Sequence, residues 1–133
     1  MQQPRGLRNN NPLNIRRSNQ PWRGKWSNPT DPDFEQFISI ELGIRAAIVI
    51  VRRYIKHYRL DTPATIINRW APSVENDTAA YIDAACRQAN LRPDERIRLN
   101  DKNLICRLLW GMAFVECGQV IPFHHFEYAW ALI

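Results

Sequence analysis

Disulfide and metal chemistry have little to work with in this chain. Its three cysteines, Cys86, Cys106 and Cys117, are odd in number and form no Cys-x-x-Cys pair. That usage fits a reduced cytosolic origin and predicts neither a disulfide framework nor a zinc site. His57, His124 and His125 do not form a ligand cluster with the cysteines, so the expectation is no metal and no cofactor. The five glycines build no phosphate-cradling loop, and no Gly-x-Ser-x-Gly elbow is present. No apolar run approaches the roughly 18 to 20 residues that a membrane-crossing helix needs. The start, Met1-Gln2-Gln3-Pro4-Arg5, lacks the apolar stretch of a signal peptide. Synthesis in the cytoplasm is therefore expected, and any target in the periplasm or cell wall must be reached by another route.

Acidic residues are missing from the first 26 positions, which carry Arg5, Arg8, Arg16, Arg17, Arg23 and Lys25. The net charge of +5 divides into +6 there and −1 over the remainder. The excess thus sits on one segment and predicts a polyanionic partner: nucleic acid, an anionic membrane surface or an acidic wall polymer.

What the chain does have is enough apolar content, 45% over 133 residues, for one folded domain spanning residues 1–133. Residues 1–37 read as extended. The stretch Arg5 to Arg17, RGLRNNNPLNIRR, has no apolar periodicity and is rich in Asn, which predicts a tightly turned loop without helix; a poorly ordered polar arm is the plainer alternative. Residues 38–133 read as a helical body. Ile40, Ile44, Ala47, Ile48, Val51 and Ile55 recur at nearly 3.6 residues, which predicts a helix over Ser39 to Tyr58. Thr62-Pro63 opens a short helix to about Trp70, and Pro72 stops it. Further helices are expected over Thr78 to Asn90, from a cap at Asp101 to about Glu116 with Gly118 as its stop, and over Pro122 to Ile133. The class is mainly α (α+β), with one small extended element near the start.

Candidate chemistry comes down to carboxylates. Cys86 and Cys106 fall at core-type helical positions, where a free cysteine is ordinarily buried. Glu116 ends a strongly apolar helix beside Phe114 and Val115. Desolvation there would raise its pKa and keep it protonated near neutrality, as a general acid for glycosidic cleavage requires. The plain alternative is an exposed Glu on a last helical turn, where the helix dipole disfavours it.

Several motifs together resemble a known group. Arg5 to Ile15, the Trp22/Gly24/Trp26 segment, Phe34 to Phe37, Gly43-Ile44-Arg45-Ala46 and Trp70 to Thr78 (WAPSVENDT) are similar to small phage and prophage proteins often labelled virion structural proteins. That family is related to the muralytic, lysozyme-like protein of an enveloped phage, and the resemblance covers about residues 5–122. It implies a lysozyme-like domain of lytic-transglycosylase type, with a small N-terminal β-hairpin, acting on peptidoglycan glycan strands; virion proteins or a holin are the other partners it implies. Asn10 to Arg16 (NNPLNIR) and Trp70 to Tyr81 (WAPSVENDTAAY) also resemble two elements of bacterial cell-wall glucosaminidases of the flagellar type. There a helix ending in Glu-x-Gly precedes both elements. Here Glu116-Cys117-Gly118 follows them, which implies a circular permutation. The family more often shows His-Glu-Asn-Gly where this chain has Val115-Glu116-Cys117-Gly118, and Gly where it has Leu13.

On this reading Glu116 is the acid and Asp33 is the choice of partner carboxylate among Asp31, Asp33 and Glu35, because Pro32 fixes its approach. If no carboxylate is in range, the sugar's own 6-hydroxyl closes an anhydro ring, as the family implies. Tyr81 supports the transition state or is a plain helix Tyr. Asn10, Asn11 and Asn14 line the groove or serve turns. Trp22 and Trp26 stack on sugars or anchor the hairpin. Trp70 and Glu75 are further groove residues, although Glu75 equally suits loop capping. Glu41, a first-turn helix charge, is the fallback acid. The rival from another class is a non-catalytic virion or nucleic-acid-binding module using the basic Trp/Asn-rich segment, but no basic helix face supports nucleic acid.

Overall fold

A computed structural model describes residues 3–133. Met1 and Gln2, which begin both the expected extended segment and the stretch read for a leader, lie outside the described residues. Six helices occur among them: α1 (Arg5–Arg8), α2 (Ile40–Tyr58), α3 (Pro63–Trp70), α4 (Thr78–Ala89), α5 (Lys102–Cys117) and α6 (His124–Ala131). The mainly α class therefore holds.

Each long helix begins where a side chain can take up an orphan backbone N–H. Ser39 accepts from Leu42 N, Asp77 from Ala80 N and Asp101 from Leu104 N. Thr62 and Thr65 form a reciprocal capping box ahead of Pro63. The helices end on left-handed residues: Arg59 (φ 54°), Asn90 (φ 55°) and Gly118 (φ 71°) close α2, α4 and α5. The last helix is shorter than its apolar pattern predicts. The carbonyls of Pro122 and Phe123 accept from His125 and Phe126, so the chain enters through a turn. At the other end, Leu132 and Ile133 donate to Ala129 and Trp130 in a tightened last turn.

The core is mostly aliphatic and sits between α2, α3, α4, α5 and α6. Ile44, Ile48, Ile66, Ile67, Ile105, Leu108, Leu109, Met112 and Phe126 are fully buried in it. α5 packs against α4 so closely that a Cβ at Gly111 would lie 2.3 Å from the Ala85 carbonyl oxygen. α2 lies against α6, tied at one end by a 2.6 Å contact between Glu41 Oε2 and His125 Nδ1.

Two N-terminal expectations need correction. Arg5–Arg8 is helical, not looped: the Pro4 carbonyl accepts from Leu7 and Arg8, and the turn ends at the asparagines. The hairpin is reduced to two isolated antiparallel bridges, Arg16 with Phe34 and Lys25 with Phe37. Pro21, Pro29 and Pro32 interrupt the intervening stretch and cannot donate to a ladder. Side chains substitute. Gln36 Oε1 accepts from Thr30 N (2.6 Å) and Asp31 N (3.0 Å), and Asp31 Oδ1 accepts from Asp33 N and Phe34 N.

Candidate functional site

A cleft of about 310 Å³ opens between the N-terminal segment, α2, the end of α3 and the end of α5. Asn14, Arg16, Phe34, Tyr54, Trp70, Glu75 and Glu116 are among the residues that line it. Glu116 stands on the last turn of α5, and both its oxygens are held. Tyr81 Oη donates to Oε2 at 2.8 Å, and Asn14 Nδ2 donates to Oε1 at 2.9 Å. Burial raises the Glu116 pKa above the ordinary carboxylate value. The two hydrogen bonds and the charge of Arg16 pull in the opposite direction without cancelling it. Tyr81 is itself buried, and its pKa is well above the usual phenol value, first through desolvation and then through the neighbouring carboxylate.

Local backbone chemistry explains why Asn14 reaches this carboxyl. Asn14 adopts a left-handed conformation (φ 51°) directly after the Pro12-Leu13 turn, a region that Asn enters at lower cost than most residues. Leu13 is fully buried, and its carbonyl accepts from Trp70 Nε1 at 3.3 Å. Cys117 Sγ lies 3.4 Å from the Pro12 carbonyl oxygen, so the turn is pinned against the end of α5. The opposite wall is aromatic: Tyr54 and Trp70 meet edge to face with centroids 6.3 Å apart. Beside them, Arg16 Nη2 lies 3.6 Å from Glu75 Oε2.

Other expected site residues lie elsewhere. Asp33 does not line the cleft; it is 58% exposed and tied to Arg5 Nη2 at 3.0 Å. Asp31 takes two donors of the same guanidinium and one from Asn9. Arg5 holds it well below the usual carboxylate range despite its burial. Glu35 is buried against Lys25 at 3.2 Å. Asn11 is fully buried and spends its amide on Ile15 N, Ile15 O and Glu35 O. Asn10, left-handed at φ 52°, donates to the Phe37 carbonyl. Trp22 is a core anchor under Arg53, whose guanidinium lies 5.3 Å from the ring centroid. Trp26 is 38% exposed beside Arg5 and Asp31 and does not line the cleft. Glu41, the fallback acid, is bound to His125 between α2 and α6, outside the cleft.

Sequence reasoning missed Tyr54 and Arg16 as cleft residues. Tyr54 lies at the edge of the apolar stripe of α2, three residues after Val51 and half-buried against the core, where its period alone assigns it no role in a cleft. Arg16 is a charge of the basic segment and the last residue of the NNPLNIR motif, neither of which assigns it to a groove.

The three cysteines are free and buried, and burial pushes the Cys106 and Cys117 thiols up to about 11, so none is an activated nucleophile. No group of His, Cys, Asp or Glu suited to a metal ion occurs among the described residues, and no helix there is long and apolar enough to cross a membrane.

No family model matches the chain. Over 101 residues it is 42% identical to Protein P5 of Pseudoalteromonas phage PM2. The match takes in 74% of this chain and 62% of that phage protein, so the chain spans less than two thirds of its relative.

Proposed function

We propose that this chain is a peptidoglycan-cleaving glycosidase of phage or prophage origin, with Glu116 as general acid in chemistry of the lytic-transglycosylase type. One observation carries the reading: a desolvated carboxyl on the wall of an open cleft, held by two hydrogen-bond donors. Desolvation favours the protonated acid before the reaction. The Tyr81 hydroxyl and Asn14 amide favour the carboxylate that remains once the proton has passed to the glycosidic oxygen. Cleavage of the C1–O bond then leaves an oxocarbenium-like centre, and the sugar's 6-hydroxyl adds to C1. That hydroxyl returns its proton to Glu116, so the carboxyl ends as it began.

The anhydro route is preferred over a two-carboxylate mechanism because Asp31, Asp33 and Glu35 are all engaged with Arg5 or Lys25. A lysozyme-like fold in permuted order accords with the meeting of Asn14 and Tyr81 at Glu116. The enzyme would act on the wall, beyond the cytoplasmic membrane.

Muropeptide mass spectrometry on purified peptidoglycan tests this, using wild type and folded Glu116→Gln. Anhydro-muramyl ends that disappear in the variant are expected. Reducing ends would instead indicate a hydrolase and turn attention to Glu75 as the second carboxylate. An unchanged wall would favour the second reading, a non-catalytic virion module, whose support is the likeness to a phage protein. The nucleic-acid form of that reading is weakened by Arg5 and Lys25, whose charges are taken up within the chain.

A further inference from the structure

We infer that Arg16 is the residue through which the cleft reads a carboxylate on its ligand, so that acidic glycans are selected over neutral ones. The inference rests on the glycosidase reading and adds to it a specificity-determining residue. Arg16 differs from the other paired cations of its segment. Arg5 is locked to buried Asp31 by two hydrogen bonds, and Lys25 to buried Glu35. Neither carboxylate can move aside without leaving a buried charge, which is costly. Arg16 faces the cleft with 71% of its side chain exposed, and its ionic partner, Glu75, is 60% exposed. At 3.6 Å that contact is longer than a hydrogen bond. An exposed pair of this kind contributes little, and its carboxylate returns to water readily.

The guanidinium is nevertheless well placed. The Arg16–Phe34 bridge fixes its backbone, together with bonds from Arg17 N to the Asp33 carbonyl and from Glu35 N to that of Ile15. The group lies over the Phe34 ring, 5.8 Å from its centroid. Glu75 sits on the segment joining α3 to α4, held by a bond from its own N to the Pro72 carbonyl, where Asn76 Nδ2 also donates. Glu75 therefore acts as a placeholder, which an incoming carboxylate displaces by offering both oxygens to the planar guanidinium.

Arg16 also bears on Glu116, because its charge lowers the pKa of that carboxyl.

Calorimetric titration of Glu116→Gln, which binds without turnover, provides the test. The probes are the alternating N-acetylglucosamine/N-acetylmuramic acid tetrasaccharide with free lactyl carboxylates and its methyl ester of equal shape. Binding of the acid about five- to tenfold tighter than the ester is expected, the range of a charge-assisted bidentate contact at a partly exposed site. Adding Arg16→Gln should bring the ratio to about one while ester affinity is retained, and Glu75→Gln should widen it a few-fold. Equal binding of acid and ester, or a ratio that survives Arg16→Gln in a protein with unchanged circular dichroism, overturns the inference and leaves the glycosidase reading standing. Failure of both probes to bind also overturns the inference, and the muropeptide products decide the glycosidase reading separately.

Discussion

Residues 4–38 and residues 39–133 are held together by different means. The helical body satisfies its backbone within helices and is joined by aliphatic burial around Ile48, Ile67, Leu108 and Met112. The N-terminal segment has almost no repeating backbone pairing, so buried side chains take over: Asn9, Asn11, Asp31 and Gln36 bond to one another and to the main chain. Buried polar side chains are usually costly, and here each one closes a backbone or side-chain vacancy that would cost as much. Irregular chain can be as rigid as a helix when its amides are spent in this way. That rigidity sets Asn14 and Arg16 on the cleft wall.

The joint between the two regions is the most sensitive place to break this contrast. A Cβ at Gly43 of α2 would lie 1.9 Å from the Asn10 carbonyl oxygen, with backbone, not a flexible side chain, in its way. Gly43→Ala should cost about 3 kcal/mol or more, and by loosening the backbone around the already exposed Arg16 and Arg17 it should speed tryptic cleavage there while the helical signal persists. An unchanged tryptic map would refute the idea that this contact seats the segment.

A matched pair asks whether polar burial in one region equals apolar burial in the other. Asn11→Ala removes three hydrogen bonds at a fully buried site, and Leu108→Ala empties a fully buried apolar one. Each should cost about 2 to 4 kcal/mol in urea unfolding. A loss below about 1 kcal/mol for Asn11→Ala would mean that water replaces the amide and the segment is looser than described.

The fold was legible wherever its causes are local. Ser39, Thr62-Pro63 and Asp101 start α2, α3 and α5, and Gly118 ends α5, all by chemistry that acts within four residues. The burial of Glu116 could also be foreseen, from the apolar run before it. Its partners could not be identified by spacing, because Asn14 and Tyr81 arrive from elsewhere in the chain and only the motif resemblance pointed to them. Asp33 went astray for a similar reason. Proline geometry suggested an approach to the groove, but Arg5 lies 28 residues away in sequence and claims the carboxylate. Charge counting treated residues 1–26 as an open basic patch, whereas folding sets Asp31, Glu35 and Glu75 against three of its six cations.

A finer contrast lies in pH. Asp31 in the N-terminal segment has a depressed pKa, so its contribution is present above about pH 4 and is lost as pH falls toward the folded value. Glu116 in the helical body has a raised pKa, so the folded state binds its proton more tightly. Stability then declines as pH rises from about 4.5 to the folded value, by at most about 1.4 kcal/mol per pH unit. Urea midpoints from pH 3 to 8 should show Asp31→Asn flattening the acid limb and Glu116→Gln removing the decline above it. Parallel curves for wild type and Glu116→Gln would mean that this carboxyl is ordinary in the folded protein.

The smallest effect expected is at the boundary itself. Ser39→Ala removes the cap that starts α2 and should cost about 1 kcal/mol in thermal unfolding. A cost comparable with that of Gly43→Ala would show that the helix start, and not the close backbone contact, joins the two regions.

The hydrogen bond between Asn14 and Glu116 spans 102 positions of sequence. Closing so large a loop carries an entropic penalty that only extensive long-range packing can offset, which places this contact late in the order of assembly. On the ribosome, the asparagine emerges before the carboxyl and waits for it. A nascent or truncated chain lacking α5 has Asn14 and Tyr81 but not the acid that they hold. The long reach between the two residues thus acts as a timing device, delaying the site until the body that supports it has been made.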